Sequence, residues 1–352
     1  MKNRLPTLAE VADVAGVSRM TASRALNNQP GVSRAVREEI LRIAAKLGYT
    51  VNRTAQKLSG GKSRIIGLVA IRMQNPFTAE VITGAVRTAR TAGYEMLVYS
   101  LVEGVEPQPS VTHLLEHIAD GVIAVLPYSG RYLKSLAAAS VPVITVEDGI
   151  EPLDFPSIGC DNYRGARAAV EHLADLGHRR IGFITGHESL SSARERRRGY
   201  LDVLSERRLP RDDSLIAEGD YTQRGGFDAA RKLLSLSRRP TAIFAANDDA
   251  AMGVLSAAQK LQVRVPEELS IVGFDDSPQA AQVHPAITTV RQPMQEMGGS
   301  AVNMLLAMMA GIEPASPVTT FPTELVVRGS TAPPSGPPAK RSKSSRAART
   351  ER

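Results

Sequence analysis

The sequence predicts an all-α head followed by an α/β body of two lobes. Three observations predict it. Residues 7–48 show helical apolar spacing punctuated by capping residues. From Ile65 onward, short continuous apolar runs alternate with amphipathic stretches, the pattern of parallel strands covered by helices on both faces. Charge, finally, is divided by segment. Residues 1–62 hold eleven Lys or Arg against four acids, and residues 332–352 hold six against one. The whole chain carries only +7, so the middle is acidic by five charges. A basic head on an acidic body is the electrostatic footprint of a nucleic-acid reader with a second, separate task.

In the head, Thr7 is placed to N-cap a first helix, with Glu10 completing a capping box. Leu8, Val11, Ala12 and Ala15 give that helix one apolar face. Gly16 supplies a left-handed stop, and Val17 tucks under the turn. Ser18 caps a second helix that turns Ala22, Ala25 and Leu26 inward and leaves Arg19, Met20, Ser23 and Arg24 outside. This is the grammar of a helix-turn-helix, whose second helix enters the major groove and reads bases near its N-terminus. Arg19 or Arg24 can grip guanine through two donors, and Met20 offers an apolar contact to a thymine methyl. Ser18, Thr21, Ser23, Asn27 and Thr7 complete the candidate DNA contacts. The plain alternative is a helical hairpin whose arginines only solvate a face. A third helix runs from Ser33 to Gly48 with Val36, Ile40, Ile43 and Leu47 inward, making residues 1–50 one unit. Residues 51–63 form a linker whose short helical stretch needs a partner to be stable.

In the body, residues 64–331, strands are expected at 65–71, 94–100, 121–126, 142–146, 180–185, 241–246 and 269–274. Helices are expected at 78–91, 163–176, 193–206, 222–234 and 248–260. So many alternations exceed one sheet, and two doubly wound parallel sheets with a cleft between them follow. The lobes are drawn as 64–161 with 292–320, and 162–291 with 321–331. In such sheets ligands bind beyond the carboxyl ends of the strands. Amides, carboxylates, arginines and a few aromatic rings gather at those ends, at 74–77, 160–162, 186–200, 219–221, 247–249 and 273–277. They suit a polyhydroxylated ligand, whose hydroxyls donate and accept while ring faces cover its apolar side. Helix capping is the competing role for each Asp, Asn and Ser there.

These segments carry a specific resemblance. TLAEVADVAGVSRMTASRALNN at 7–28, GVSRAVREEILRIAAKLGY at 31–49, NPF at 75–77, the run from Asp161 to Leu173, GHRRI at 177–181, FAANDDAAMG at 244–253, LSIVGFDD at 269–276 and HPAITTVRQP at 284–293 resemble the lactose-repressor (LacI/GalR) family, in order, over residues 7 to about 330. The resemblance implies a periplasmic-binding-protein-like body. It also implies a homodimer on a pseudo-palindromic operator, with heads in successive major grooves. It places Arg19 and Met20 at paired base-reading positions, Leu58 at a minor-groove wedge between hinge helices, and Ala55 at their small contact position. In the body it places a small effector, a sugar or sugar acid, between the lobes against Phe77, Asp161, Arg196, Tyr221, Asn247 and Asp275, with Arg194 at an offset second arginine position. Operator and effector would each favour one lobe arrangement; whether the effector releases or promotes DNA binding is left open by the residues.

Other chemistry is not expected. His113, Glu116 and His117 match an H-x-x-E-H pattern, yet no third ligand follows, so neither a metal nor a cofactor is expected, and no catalytic residue is assigned. Cys160 is the only cysteine, which excludes an intramolecular disulfide. No apolar run is long enough to cross a membrane and no apolar signal region opens the chain, so the expected place is the cytoplasm, at the nucleoid. Residues 332–352 read as a disordered basic tail, either attracted to phosphates or simply solvated. The chief rival to a ligand-responsive regulator is a sugar-binding protein of the periplasmic type; an activator or co-repressor-type regulator is the other alternative.

Overall fold

A computed structural model describes residues 6–49, 62–101, 115, 117–125, 140–147 and 155–335. Ala55, Leu58, His113 and Glu116, and the tail beyond Ser335, lie outside the described residues. The chain divides into two compact units, 1–64 and 65–352.

The first unit contains α1 (Leu8–Val14), α2 (Arg19–Leu26) and α3 (Arg34–Leu47). The capping box forms, with the Thr7 amide donating to Glu10 at 2.6 Å. Gly16 turns the chain at φ +63°, and Ser18 accepts from the Thr21 amide at 3.1 Å. Val11, Ala25, Ile40, Ile43 and Ala44 make the core. Val36 and Leu47, expected inward, are exposed: they overhang the ends of a three-helix unit too short to cover all of α3.

In the second unit a six-stranded, wholly parallel sheet has the order β11-β5-β4-β3-β1-β2. It contains β1 (Ile65–Ile71), β2 (Glu95–Leu101), β3 (Gly121–Val125), β4 (Val143–Val146), β5 (Ser157–Cys160) and β11 (Val318–Phe321). A four-stranded parallel sheet, β7-β6-β8-β9, contains β6 (Ile181–Ile184), β7 (Ile216–Ala217), β8 (Ala242–Ala245) and β9 (Ser270–Val272). β10 (Thr289–Arg291) and β12 (Glu324–Val326) pair antiparallel. The helices are α4 (Pro76–Thr91), α5 (Asn162–Asp175), α6 (Ser191–Glu206), α7 (Gln223–Leu234), α8 (Asp248–Lys260), α9 (Pro278–Gln282) and α10 (Met294–Met309).

The seven expected strands and five expected body helices all form, within two or three residues at their ends. The expected list lacked β5, β7, β10, β11, β12, α9 and α10. β5 is a four-residue strand broken by Gly159, and β11 is an edge strand with two threonines, so neither gives an apolar run. In α10, paired glycines replace apolar side chains where it meets α4. A Cβ on Gly298 would strike the carbonyl of Val81, and one on Gly84 the carbonyl of Gln295. Phe321, drawn with the second lobe, instead pairs with Cys160 in the six-stranded sheet. The chain therefore passes between the sheets near Asp161, Gln292 and Thr323, and the site assembles there.

Candidate functional site

The head presents its candidate residues on one side. The Ala22 and Ala25 side chains anchor α2 against the core, which leaves Arg19 and Arg24 exposed and Met20 65 % exposed. Ser18 and Thr21 bond each other through their hydroxyls at 2.9 Å, and Asn27 donates to Ser23 at 3.3 Å. Thr7 is spent on its capping box. Arg37, which the sequence reading did not single out, reaches from α3 to the end of α2. It donates to the carbonyls of Ala25 at 3.0 Å and Gln29 at 2.6 Å, closing orphan acceptors at the end of the exposed helix.

In the body, a cavity with about 330 Å³ of empty space, its mouth included, opens where the sheets meet. Phe77, Arg196, Tyr221, Asn247 and Asp275 line it, five of the seven candidates. Phe77 is set by Asn75, whose side chain caps α4 by accepting from the Phe77 amide at 2.9 Å. Asn247 caps α8, accepting from Ala250 at 2.9 Å, and donates to the Tyr221 carbonyl at 3.2 Å. Capping and cavity lining thus fall on the same residue.

Arg196 lies at the centre, 3 % exposed. It donates to the Asn162 side chain at 2.8 Å and to the Ala246 carbonyl. Its guanidinium stacks 3.6 Å from the Phe274 ring centroid and sits 5.8 Å from that of Tyr221. Asp275 is 3.9 Å away, a long separation for an ion pair, and accepts from Gln292 at 2.6 Å. Burial pushes the Asp275 carboxyl well above the usual range although Arg196 opposes it, so Asp275 tends to the neutral acid, which can both donate and accept. Burial works against the Arg196 cation, but Tyr221 and Asp275 outweigh it and raise its pKa. Cys160 donates to Gln292 at 2.9 Å, and burial pushes its thiol well up, so it is an inert wall.

Two expected residues stand elsewhere. Arg194 is exposed on α6, two positions from Arg196 and so on another side of the helix, away from the cavity lining. Asp161 caps α5, accepting from the Arg164 amide at 2.9 Å, and lines a different cavity. Its neighbour Asn162 is the residue that reaches Arg196. The sequence reading missed Asn162, Gln292 and Glu147, which is 4 % exposed and also lines the cavity. Glu147, Tyr221 and Asp275 have φ of +61°, +62° and +120°. Left-handed backbone at non-glycine residues costs of order 1–3 kcal/mol each and gathers at functional sites.

Among the described residues no group of three or more His, Cys, Asp or Glu is placed to hold a metal, and no helix is long and apolar enough to cross a membrane.

Comparison with known proteins agrees with this layout. Residues 7–52 match the model of bacterial regulatory proteins of the lacI family, and residues 170–331 match a periplasmic binding protein-like domain. Catabolite control protein A of Priestia megaterium is 33 % identical over 92 % of this chain and 99 % of its own. The HTH-type transcriptional repressor CytR of Escherichia coli is 32 % identical over 92 % and 96 %. The lac repressor dimer bound to operator and an anti-inducer superposes with a TM-score of 0.81 at 29 % identity, covering 94 % of this chain and all of that one. A transcriptional regulator, CelR, in complex with cellobiose gives 0.72 at 30 % identity over 92 % and 99 %. The chain belongs to the lacI family of bacterial regulatory proteins, with a DNA-binding head and an effector-binding body.

Proposed function

We propose that this protein is a dimeric, non-catalytic repressor in the cytoplasm whose hold on a pseudo-palindromic operator is set by a small, neutral, polyhydroxylated effector. The carrying observation is the buried cluster around Arg196. Its cation is already engaged by Asn162, the Ala246 carbonyl and Phe274, with Asp275 near, while Glu147 and Asp275 stand on the same wall. A ligand carboxylate or phosphate would meet two carboxyls and no uncommitted cation among the lining residues, so a sugar acid is the weaker fit. Hydroxyls suit it: carboxyls and amides accept and donate, and Phe77 and Tyr221 supply apolar ring faces. On the DNA side, Arg19 and Met20 offer a base-reading pair, with Ser18, Thr21, Ser23, Arg24 and Asn27 around them. The names of the relatives support repression, and solved relatives with operator and with sugars support the coupling.

Selection of operators from random duplexes by the full chain, repeated with neutral hexoses and with hexuronic acids, tests this. The expected result is a palindromic footprint that one neutral sugar weakens or strengthens at least tenfold. No palindrome, or a response to hexuronic acids alone, overturns it.

A further inference from the structure

Glu147 lines two cavities at once. Besides the one around Arg196, it borders a second of about 790 Å³, walled by β5 and β11 on one side and by α5 and α6 on the other. Asn162 stands on the partition. Its amide donates to both Glu147 oxygens at 3.5 Å while its carbonyl accepts from Arg196 at 2.8 Å. Along the first turns of α6 the walls also adjoin: Ser192 and Arg196 face the first cavity, Ser191 and Glu195 the second.

The sequence keeps the second space open and wet. β5 and β11 pair in parallel with Ser157 opposite Val318 and Gly159 opposite Thr320, so these alternate residues share one face of the sheet. Small side chains there leave a groove; a Cβ on Gly159 would already stand 3.7 Å from a Glu147 oxygen. Hydroxyls of Ser157, Ser191, Thr320 and Tyr163 line the space, and no Lys, Arg or His does. Its other two carboxylates are already matched, Asp161 with Arg164 at 3.5 Å and Glu195 with Arg198 at 2.7 Å. The chemistry left for a ligand is hydroxyl recognition with little net charge. The first cavity alone is at the small end for a ligand pocket, about 300–1,000 Å³.

Resting on the effector reading above, we propose that the second cavity extends the effector site, and that the effector is a neutral glycoside of at least two rings. One ring lies against Arg196 and Asp275, the other lies along β5 and β11, and Glu147 accepts hydroxyls from both. Asp161 thereby regains a ligand role in the outer subsite.

Calorimetric titration of the full chain with cellobiose, lactose and maltose, each beside glucose and galactose, tests the extension. Thr320→Trp fills the outer groove from an exposed edge-strand position, and Val318→Trp on the same face replaces it if that variant fails to fold. The expected result is that one disaccharide binds at least tenfold tighter than its component sugars, and that the tryptophan erases this preference while leaving monosaccharide affinity alone. Equal affinities for one and two rings, unmoved by the tryptophan, overturn the extension but leave a sugar-sensing regulator standing. Binding by none of these sugars overturns both readings.

Discussion

The two working surfaces of this protein are built on opposite plans. On the DNA-reading helix, the side chains that do the recognising are those left out of packing: Arg19 and Met20 point to solvent, and only Ala22 and Ala25 hold the helix down. In the body, the recognising side chains are themselves the packing. Arg196 is as buried as a core leucine, and its partners come from four separate stretches of chain. The lesson is one of separability. A surface reader can exchange its contacts at almost no cost in stability, whereas the buried sensor cannot change a contact without disturbing its own fold.

Arg196→Ala should show the largest effect and test that contrast most directly. Deleting the guanidinium strips Asn162 and the Ala246 carbonyl of a donor and leaves Asp275 and Glu147 without the nearby cation. Breaking a buried charge cluster costs about 3–5 kcal/mol. The expected outcome is loss of the effector response together with a fall of several degrees in the melting temperature of the body. An unchanged melting temperature would mean that sensing and stability separate here too. Arg19→Ala should cost about 1–3 kcal/mol of discrimination at one operator position with no change in melting. Equal loss on every duplex would make Arg19 a phosphate contact.

The same contrast explains how far the sequence could be read. Exposure on α2 is a matter of spacing: one turn glycine, one cap and two alanines fix which face is free, so the DNA-reading candidates were legible from a single segment. The cavity is a long-range object. Local spacing puts polar residues at strand ends but cannot say which of two neighbours turns inward, and this is why Asp161 was named where Asn162 does the work. Arg194 fails for the same reason, two positions from Arg196 on an arginine-rich helix. Glu147 follows a four-residue strand and carried no local signal beyond the acidic pair it opens. Gln292 is equally silent, since its role depends on Cys160 and Asp275, 132 and 17 residues away. Family resemblance supplied the residues that spacing could not.

A second test concerns pH. Burial lifts the Asp249 carboxyl to about 6, two residues into α8 beside the Asn247 cap. An acid whose pKa is higher folded than unfolded binds its proton more tightly in the native state. Its contribution is therefore full at pH below about 4 and is lost as pH rises towards 6. Asp249→Asn removes that penalty. Relative to the parent, it should gain about 1–2 kcal/mol by pH 7, after discounting for partial exposure, and nothing at pH 4. Denaturant melts of the full chain across that range check it. A constant difference at all pH values would assign the effect to packing rather than to charge.

The smallest effect tests whether the head is as separable as claimed. Ser18 both caps α2 and belongs to the candidate DNA contacts, so there structure and recognition share one hydroxyl. Losing the cap in Ser18→Ala should cost about 1 kcal/mol of head stability. Ser18→Asp restores an acceptor for the Thr21 amide and places negative charge at the helix N-terminus, which the macrodipole favours. That same charge faces DNA phosphates. If Ser18 only caps, the aspartate variant keeps both melting temperature and operator affinity. If Ser18 also meets DNA, it keeps the melting temperature but loses affinity, the more so at low salt, where phosphate repulsion is least screened. The second outcome is expected, and it would mark Ser18 as the place where the head, like the sensor, cannot vary recognition without touching its own structure.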